Sequence, residues 1–278
     1  MAYNTKNLRN VVLLGHSGSG KTTFAETMLF ESGATTRKGT VGENNTVSDY
    51  TNIEQERQNS IFSTLMHAKW RGNKINIIDT PGFDDFVGEV VCSTRAADTA
   101  VMLLNARSGV EVGTEIIWEY IEKFNTPTLF VINQLDHDKS DFESTLEQAQ
   151  ERFGHQVLPF QFPIVEGAGF NKIIDALRMV MYVFPDNGGK PEKQPIPESA
   201  LERAQEMHQA LVEAAAENDE LLMEKFFEEG TLTEEELAQG LTIALANCEL
   251  YPVFCCSSVR NMGSGRIMGF INDICPSP

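Results

Sequence analysis

Three short stretches carry residue types and spacings that do chemistry. The first is Gly15-His16-Ser17-Gly18-Ser19-Gly20-Lys21-Thr22, which matches G-x-x-x-x-G-K-[ST]. Glycines let successive backbone N–H groups turn inward around a phosphate, and a helix N-terminus adds partial positive charge. Lys21 is placed to reach β- and γ-phosphates, and the Thr22 hydroxyl to ligate Mg²⁺. The second stretch is Asp79-Thr80-Pro81-Gly82. A carboxylate there can hold Mg²⁺ through water, and a residue without a side chain lets its N–H approach a terminal phosphate. The third is Asn133-Gln134-Leu135-Asp136. An amide suits a purine N7, and a carboxylate accepts from the N1 and N2 donors of guanine, which adenine lacks. Alone, the second and third stretches are ordinary turn chemistry; their order behind the first makes them specific.

Each stretch needs an element to aim it. Val11-Val12-Leu13-Leu14 reads as a buried strand and Thr23 to Phe30 as a helix, so the glycine-rich turn has a strand before it and a helix after it. Glu31 to Asp49 is rich in Gly, Thr, Asn and charge and reads as a long mobile loop; beside a phosphate site such loops are functional. Ile61 to Trp70 and Asn73 to Asp79 read as strands joined at Arg71-Gly72. Further strands are expected at Asp98 to Ala106 and Thr126 to Ile132, with a helix at Val112 to Lys123 between them. Ligands gather at the carboxyl ends of strands in such sheets, where Asp79 and Asn133 fall.

From about Val157 the composition changes. Strands are expected at Phe160 to Val165 and Met179 to Phe184, with a turn at Gly167-Ala168-Gly169. One acidic helical stretch follows from Pro197 to about Glu229, and a second helix starts at the capping-box pattern Thr233-x-x-Glu236. Between Glu198 and Glu229 ten carboxylates are opposed only by Arg203 and Lys225. This is either a solvated face or a docking surface for a basic partner. Strand character returns at Leu250 to Cys255, and a last helix runs through Ile267 to Ile274.

The 278 residues can hold one large domain or two modest ones. A net charge of -18 excludes a broad basic nucleic-acid face. Five cysteines without metal spacing imply reduced thiols in a cytoplasmic setting, with Cys255-Cys256 in the core. The apolar run between Arg9 and Gly15 is too short to be expected as a signal peptide, and no stretch approaches membrane-spanning length.

With these landmarks in order, the sequence resembles the G domain of bacterial elongation factor G and its paralogues. The resemblance covers essentially the whole chain. It rests on Gly15 to Thr23, Glu54-Gln55-Glu56-Arg57, Asp79 to Gly82 with Asp85-Phe86, and Ser108-Gly109-Val110-Glu111. It continues through Asn133 to Asp136, Phe162-Pro163-Ile164, Glu220 to Phe226, Pro252 to Gly263 and Pro276-Ser277-Pro278.

The resemblance implies a three-layer α/β P-loop G domain with a mainly parallel sheet, spanning 1–157 and 249–278. A small acidic α+β subdomain would be inserted at 158–248. It implies GTP or GDP with Mg²⁺, held by His16, Ser17, Gly18, Ser19, Gly20, Lys21, Thr22, Thr23, Asp79, Gly82, Asn133, Gln134, Asp136, Ser257, Ser258 and Val259. Thr22, Ser60 and Asp79 would serve the metal. The ribosome is the implied partner, with the ribosomal stalk protein at the acidic insert and further domains beyond this one. A release-factor or ribosome-protection protein is the nearest neighbouring reading. An ATP-dependent phosphotransferase would share the first motif, and Asp136 argues against it.

Four positions depart from the family at the chemistry. Phe83 stands where a His positions the attacking water. Ser60, preceded by Gln58-Asn59, replaces a Thr. Gln134 replaces a Lys whose stem covers the base, and Gly18 replaces an Asp often found in the phosphate loop. The pattern implies a paralogue that binds GTP and hydrolyses it poorly. Loss of a positioned acid–base group costs roughly 10²–10⁴ in rate.

Overall fold

The computed structural model describes residues 3–278. The elements run β1 (Leu8–Leu14), α1 (Lys21–Glu31), α2 (Asn52–Arg57), β2 (Thr64–Trp70), β3 (Asn73–Asp79), α3 (Val87–Ala96), β4 (Thr99–Asn105), α4 (Val112–Phe124) and β5 (Thr128–Asn133). They continue with α5 (Phe142–Phe153), β6 (Val157–Pro159), β7 (Gln161–Pro163), β8 (Lys172–Asp175), β9 (Val180–Val183) and β10 (Glu192–Gln194). The chain closes with α6 (Glu198–Ala216), α7 (Glu220–Glu229), α8 (Glu234–Ala246), β11 (Tyr251–Cys255) and α9 (Ser264–Asp273).

Among the described residues, seven strands form the main sheet in the order β2-β3-β1-β4-β5-β11-β6. Every neighbouring pair is parallel except β2 with β3, the hairpin that turns at Arg71-Gly72. Both faces are covered, so the central strands read as unbroken apolar runs rather than alternating ones. Val11 and Leu13 of β1 face one core with Phe24 and Met28 of α1 and Ile267 and Phe270 of α9. Val12 and Leu14 face the other with Val90, Ile117 and Phe142 from α3, α4 and α5. The chain leaves β1 to build β2 and β3 on one side and then crosses to β4 on the other. That reversal opens a crevice at the carboxyl end of β1, where such sheets bind ligands.

A second, antiparallel sheet runs β10-β9-β8-β7. Its helices α6 and α8 pack so closely that a Cβ on Gly240 would stand 2.3 Å from the Ala215 carbonyl oxygen. Arg266 of α9 donates from Nε to Asp175 Oδ2 of β8 at 2.5 Å, tying the second sheet to the main one. Asp175 is fully buried, and the same oxygen accepts from Gln161 Nε2 at 3.2 Å.

The fold class is the one implied by the sequence, and several elements are added to it. Helices α2, α3 and α5 and strands β8 and β10 are not legible in the periodicity. The expected single acidic helix is two: the Asp219 carboxylate accepts from Leu221 N at 2.9 Å and Leu222 N at 3.2 Å, starting α7 afresh. Strand β6 pairs with β11 in the main sheet, so that sheet reaches Pro159. Cys255 and Cys256 are both buried, and all five cysteines are free thiols. Among the described residues no helix is long and apolar enough to cross a membrane.

Truncating one partner of a buried ion pair leaves an uncompensated charge. Arg266→Ala is therefore expected to lower unfolding stability by about 3 kcal/mol in a urea titration followed by circular dichroism. Lys225→Ala, at a solvent-accessible, only partly buried pair with Glu236, is expected to have a smaller effect in the same titration.

Candidate nucleotide site

At the end of β1 the chain turns through Gly15 to Gly20 and enters α1. Gly15, Gly18 and Gly20 all take positive φ, at 138°, 82° and 93°. Gly20 is the N-cap and supplies no side chain, so the first turn of α1 keeps its N–H groups free of a side-chain cap. That arrangement presents backbone donors to an anion. Glycine at 20 is also demanded by packing: a Cβ there would stand 2.4 Å from Asn133 Nδ2.

Lys21 is buried at the base of this turn and donates to the carbonyls of Gly15 at 2.8 Å and His16 at 3.1 Å. Burial lowers its pKa to about 8, against the attraction of Asp79 and Glu111. Gly82 lies directly over it, where a Cβ would stand 2.5 Å from Lys21 Nζ and 2.8 Å from Ser17 Cα. The glycine thus brings the end of β3 onto the phosphate loop. Thr80 Oγ1 holds this strand end to β1 by donating to the Leu13 carbonyl at 2.7 Å.

Hydroxyls and carboxylates converge beside the ammonium. Thr22 Oγ1 donates to Asp79 Oδ2 at 2.8 Å and lies 3.2 Å from Ser60 Oγ. Ser48 Oγ also donates to Asp79 Oδ2, at 2.7 Å, and Ser60 Oγ donates to Asp49 Oδ1 at 2.7 Å. Asp79 is fully buried and its Oδ1 has no hydrogen-bond partner. Desolvation drives its pKa up to about 6, despite the Ser48 and Thr22 hydroxyls and the Lys21 charge. A buried ammonium under free N–H groups fits a phosphate chain. A hard-oxygen cluster with an unpartnered carboxylate oxygen fits Mg²⁺, which takes oxygen ligands.

A cavity of about 230 Å³ joins these parts. Ser17, Gly18, Gly20, Lys21, Thr22, Thr23, Ser60, Gly82, Phe83 and Gln134 line it, with Val41, Asp49, Gln58, Asn59 and Thr80. His16 faces elsewhere: its Nε2 is 3.7 Å from Glu111 Oε1, and it contributes its carbonyl to Lys21. Ser19 Oγ is buried, also without a partner. Asp136 and Ser257 to Val259 do not line the cavity.

The Ser257 to Val259 turn is nevertheless tied to the phosphate loop, through Asn133. Asn133 Nδ2 donates to the Ser19 carbonyl at 2.9 Å, and its Oδ1 accepts from Ser258 N at 3.0 Å and Ser258 Oγ at 2.9 Å. Gln134, at φ 65°, donates from Nε2 to the Gly18 carbonyl at 2.7 Å. The shorter side chain therefore keeps a tether to the loop.

The segment after α1 is pinned along its length, although only Val41–Glu43 forms a helical turn before α2. Glu26 of α1 is buried and accepts from Gly39 N at 3.0 Å and Val47 N at 2.5 Å. Thr51 and Glu54 form a capping box at α2, and Glu54 Oε1 also accepts from Ile61 N at 3.0 Å and Phe62 N at 3.1 Å. Burial pushes the Glu54 carboxyl up, but its bonds from Thr51, Ile61 and Phe62 outweigh this and hold it below the ordinary range. Ser48, Asp49, Glu26 and Glu54 are not among the site residues that the sequence singles out. Thr51-x-x-Glu54 is a capping-box signal that marks α2, whereas the other three have no local signature.

Residues 6–277 match the family model described as the elongation factor Tu GTP binding domain. The chain belongs to that family. It is a GTP-binding domain of the translational GTPase type. The G domain is also similar to a crystal structure of a protein from Thermus thermophilus, with 33% identity and a TM-score of 0.92. That match covers 98% of this chain and 41% of the solved one, so this chain spans well under half of the protein it resembles.

A hydrogen bond to a charged group contributes about 1.5–3 kcal/mol. Glu26→Ala removes two from this G domain, so amide hydrogen exchange at Gly39 and Val47 is expected to rise by at least about tenfold. Exchange in β4 and β5 should stay unchanged.

Proposed function

We propose that this chain is the GTP-binding domain of an elongation factor G-like translocation factor that holds GTP and GDP with Mg²⁺ and turns GTP over slowly. The observation that carries the reading is Phe83 on the wall of the phosphate cavity, beside Gly82 and Lys21. Its side chain is well exposed, at 44%, and belongs to neither core. A benzyl group can neither accept a proton nor orient a water, so the position that would organise hydrolysis is chemically inert.

Lys21 and the N–H groups of Ser17 to Thr22 hold the phosphates, Gly82 senses the terminal one, and Asn133, Asp136 and Ser257 to Val259 hold the base. Thr22 and Ser60 ligate Mg²⁺ and Asp79 supports it through water; the ion supplies charge neutralisation between the phosphates. Residues 158–248 form the inserted subdomain within a domain of 1–157 and 249–278. Its acidic helices meet the ribosomal stalk protein, and the full-length factor works on the ribosome in the cytoplasm. Exposed carboxylates along α6 and α7, with Leu221 75% and Phe227 77% exposed among them, support that surface.

Ribosome-stimulated phosphate release by the full-length protein tests the reading. Slow turnover that rises by about 10²-fold or more in Phe83→His is expected. Rapid multiple turnover by the unaltered protein would overturn it and favour an active GTPase using another group.

The Gly82 contact makes a second expectation. Gly82→Ala should lift the strand end off the phosphate loop and weaken GTP binding about tenfold, the worth of about one hydrogen bond to a charged group. GDP binding should be spared, and calorimetry with each nucleotide measures the split.

A further inference from the structure

The Ser257 to Val259 turn is gripped by a side chain from outside the three motifs. Lys38, half-buried in the segment after α1, donates from Nζ to the Ser258 carbonyl at 3.0 Å and also to the Val259 carbonyl. Its neighbour Gly39 is fixed by Glu26, so the lysine leaves from an anchored backbone. Ser258 O has a second donor, Thr27 Oγ1 at 2.9 Å, which holds the same turn against α1.

The turn is therefore anchored independently of Lys38. An ammonium has three donors and no acceptor, and two are used here. Burial disfavours its charge, and Cys256 and the Asp136 carboxylate act in the opposite sense. The turn that Lys38 grips is joined to the Asn133–Asp136 segment, since Leu135 N donates to the Cys256 carbonyl at 3.4 Å. On a guanine ring the 6-oxo group adjoins N1. In the reading above, with N1 and N2 toward Asp136, that oxygen lies on the side of N1 away from N2. Adenine presents an amino donor at the same position, which an ammonium cannot accept from.

We propose that Lys38 is a base-reading residue whose third N–H donates to the 6-oxo group of bound guanine, restoring some of the hold that the short Gln134 gives up. The inference deepens the guanine reading above and rests on it. A site built to bond one substrate atom discriminates against the analogue that lacks it.

Calorimetry on the full chain with two probes tests this: GDP, and 2-aminopurine ribonucleoside diphosphate, which lacks the 6-oxo group. Lys38→Met is expected to weaken GDP about tenfold, within the range of one charged hydrogen bond. It should leave 2-aminopurine nucleotide affinity within about twofold of the unaltered protein, since no bond is lost there. Lys38→Arg keeps the charge and donors and should retain most of the GDP affinity. Equal weakening of both probes in Lys38→Met would overturn the inference and leave the lysine as a latch on the turn; so would no weakening of either. Unaltered protein that binds neither nucleotide would sink the guanine assignment itself, a result distinct from both.

Discussion

Two opposite charges are buried side by side at the ends of β1 and β3, and the local architecture follows from the need to satisfy them. Lys21 is answered by backbone carbonyls of its own loop, which turns through positive φ at three glycines to supply them. Asp79 is answered by hydroxyls from three separate segments, Thr22, Ser48 and, through Thr22, Ser60. Neither set completes the coordination that a buried charge requires. The polypeptide therefore stores unsatisfied polarity of both signs in one crevice, and the parallel sheet keeps them together with strands buried on both faces.

Carboxylates from α1 and α2 are among the groups that hold the segment after α1. Glu26 and Glu54 each accept from more than one backbone N–H, and both lie within the folded body. Hydrogen bonds to charged groups are individually strong, so each fixes the backbone where it lands.

The legibility of the sequence divides along these same lines. The strand, glycine turn and α1 are readable because φ, hydrophobic run and charge must coincide within a short span. Asp79 and Asn133 are readable because strand ends are where such sheets place ligands. Ser48 and Asp49 are not: they reach the site through a long irregular segment whose path depends on tertiary contacts alone. The break between α6 and α7 is visible in principle, since Asn218-Asp219 offers a cap, but continuous helical composition on both sides masks it. α5 hides behind a surface of charge and amide side chains, though Asp141 begins it as an N-cap, accepting from Ser144 N. Gln134 shows the difference between type and geometry: its length implies loss over the base, while its bond to Gly18 adds a brace to the loop.

The near-contact of Gly240 with Ala215 has a mechanical meaning for the inserted helices. With no side chain at 240 the two backbones approach closely there, and Leu211 and Val212 of α6 pack in one core with Leu241 and Leu245 of α8 around that point. The sheet of β7 to β10 is joined to α9 separately, through Arg266 and Asp175 at a buried ion pair. The inserted unit is therefore braced at two places, helix against helix and sheet against α9, by a close backbone approach at one and a buried charge pair at the other.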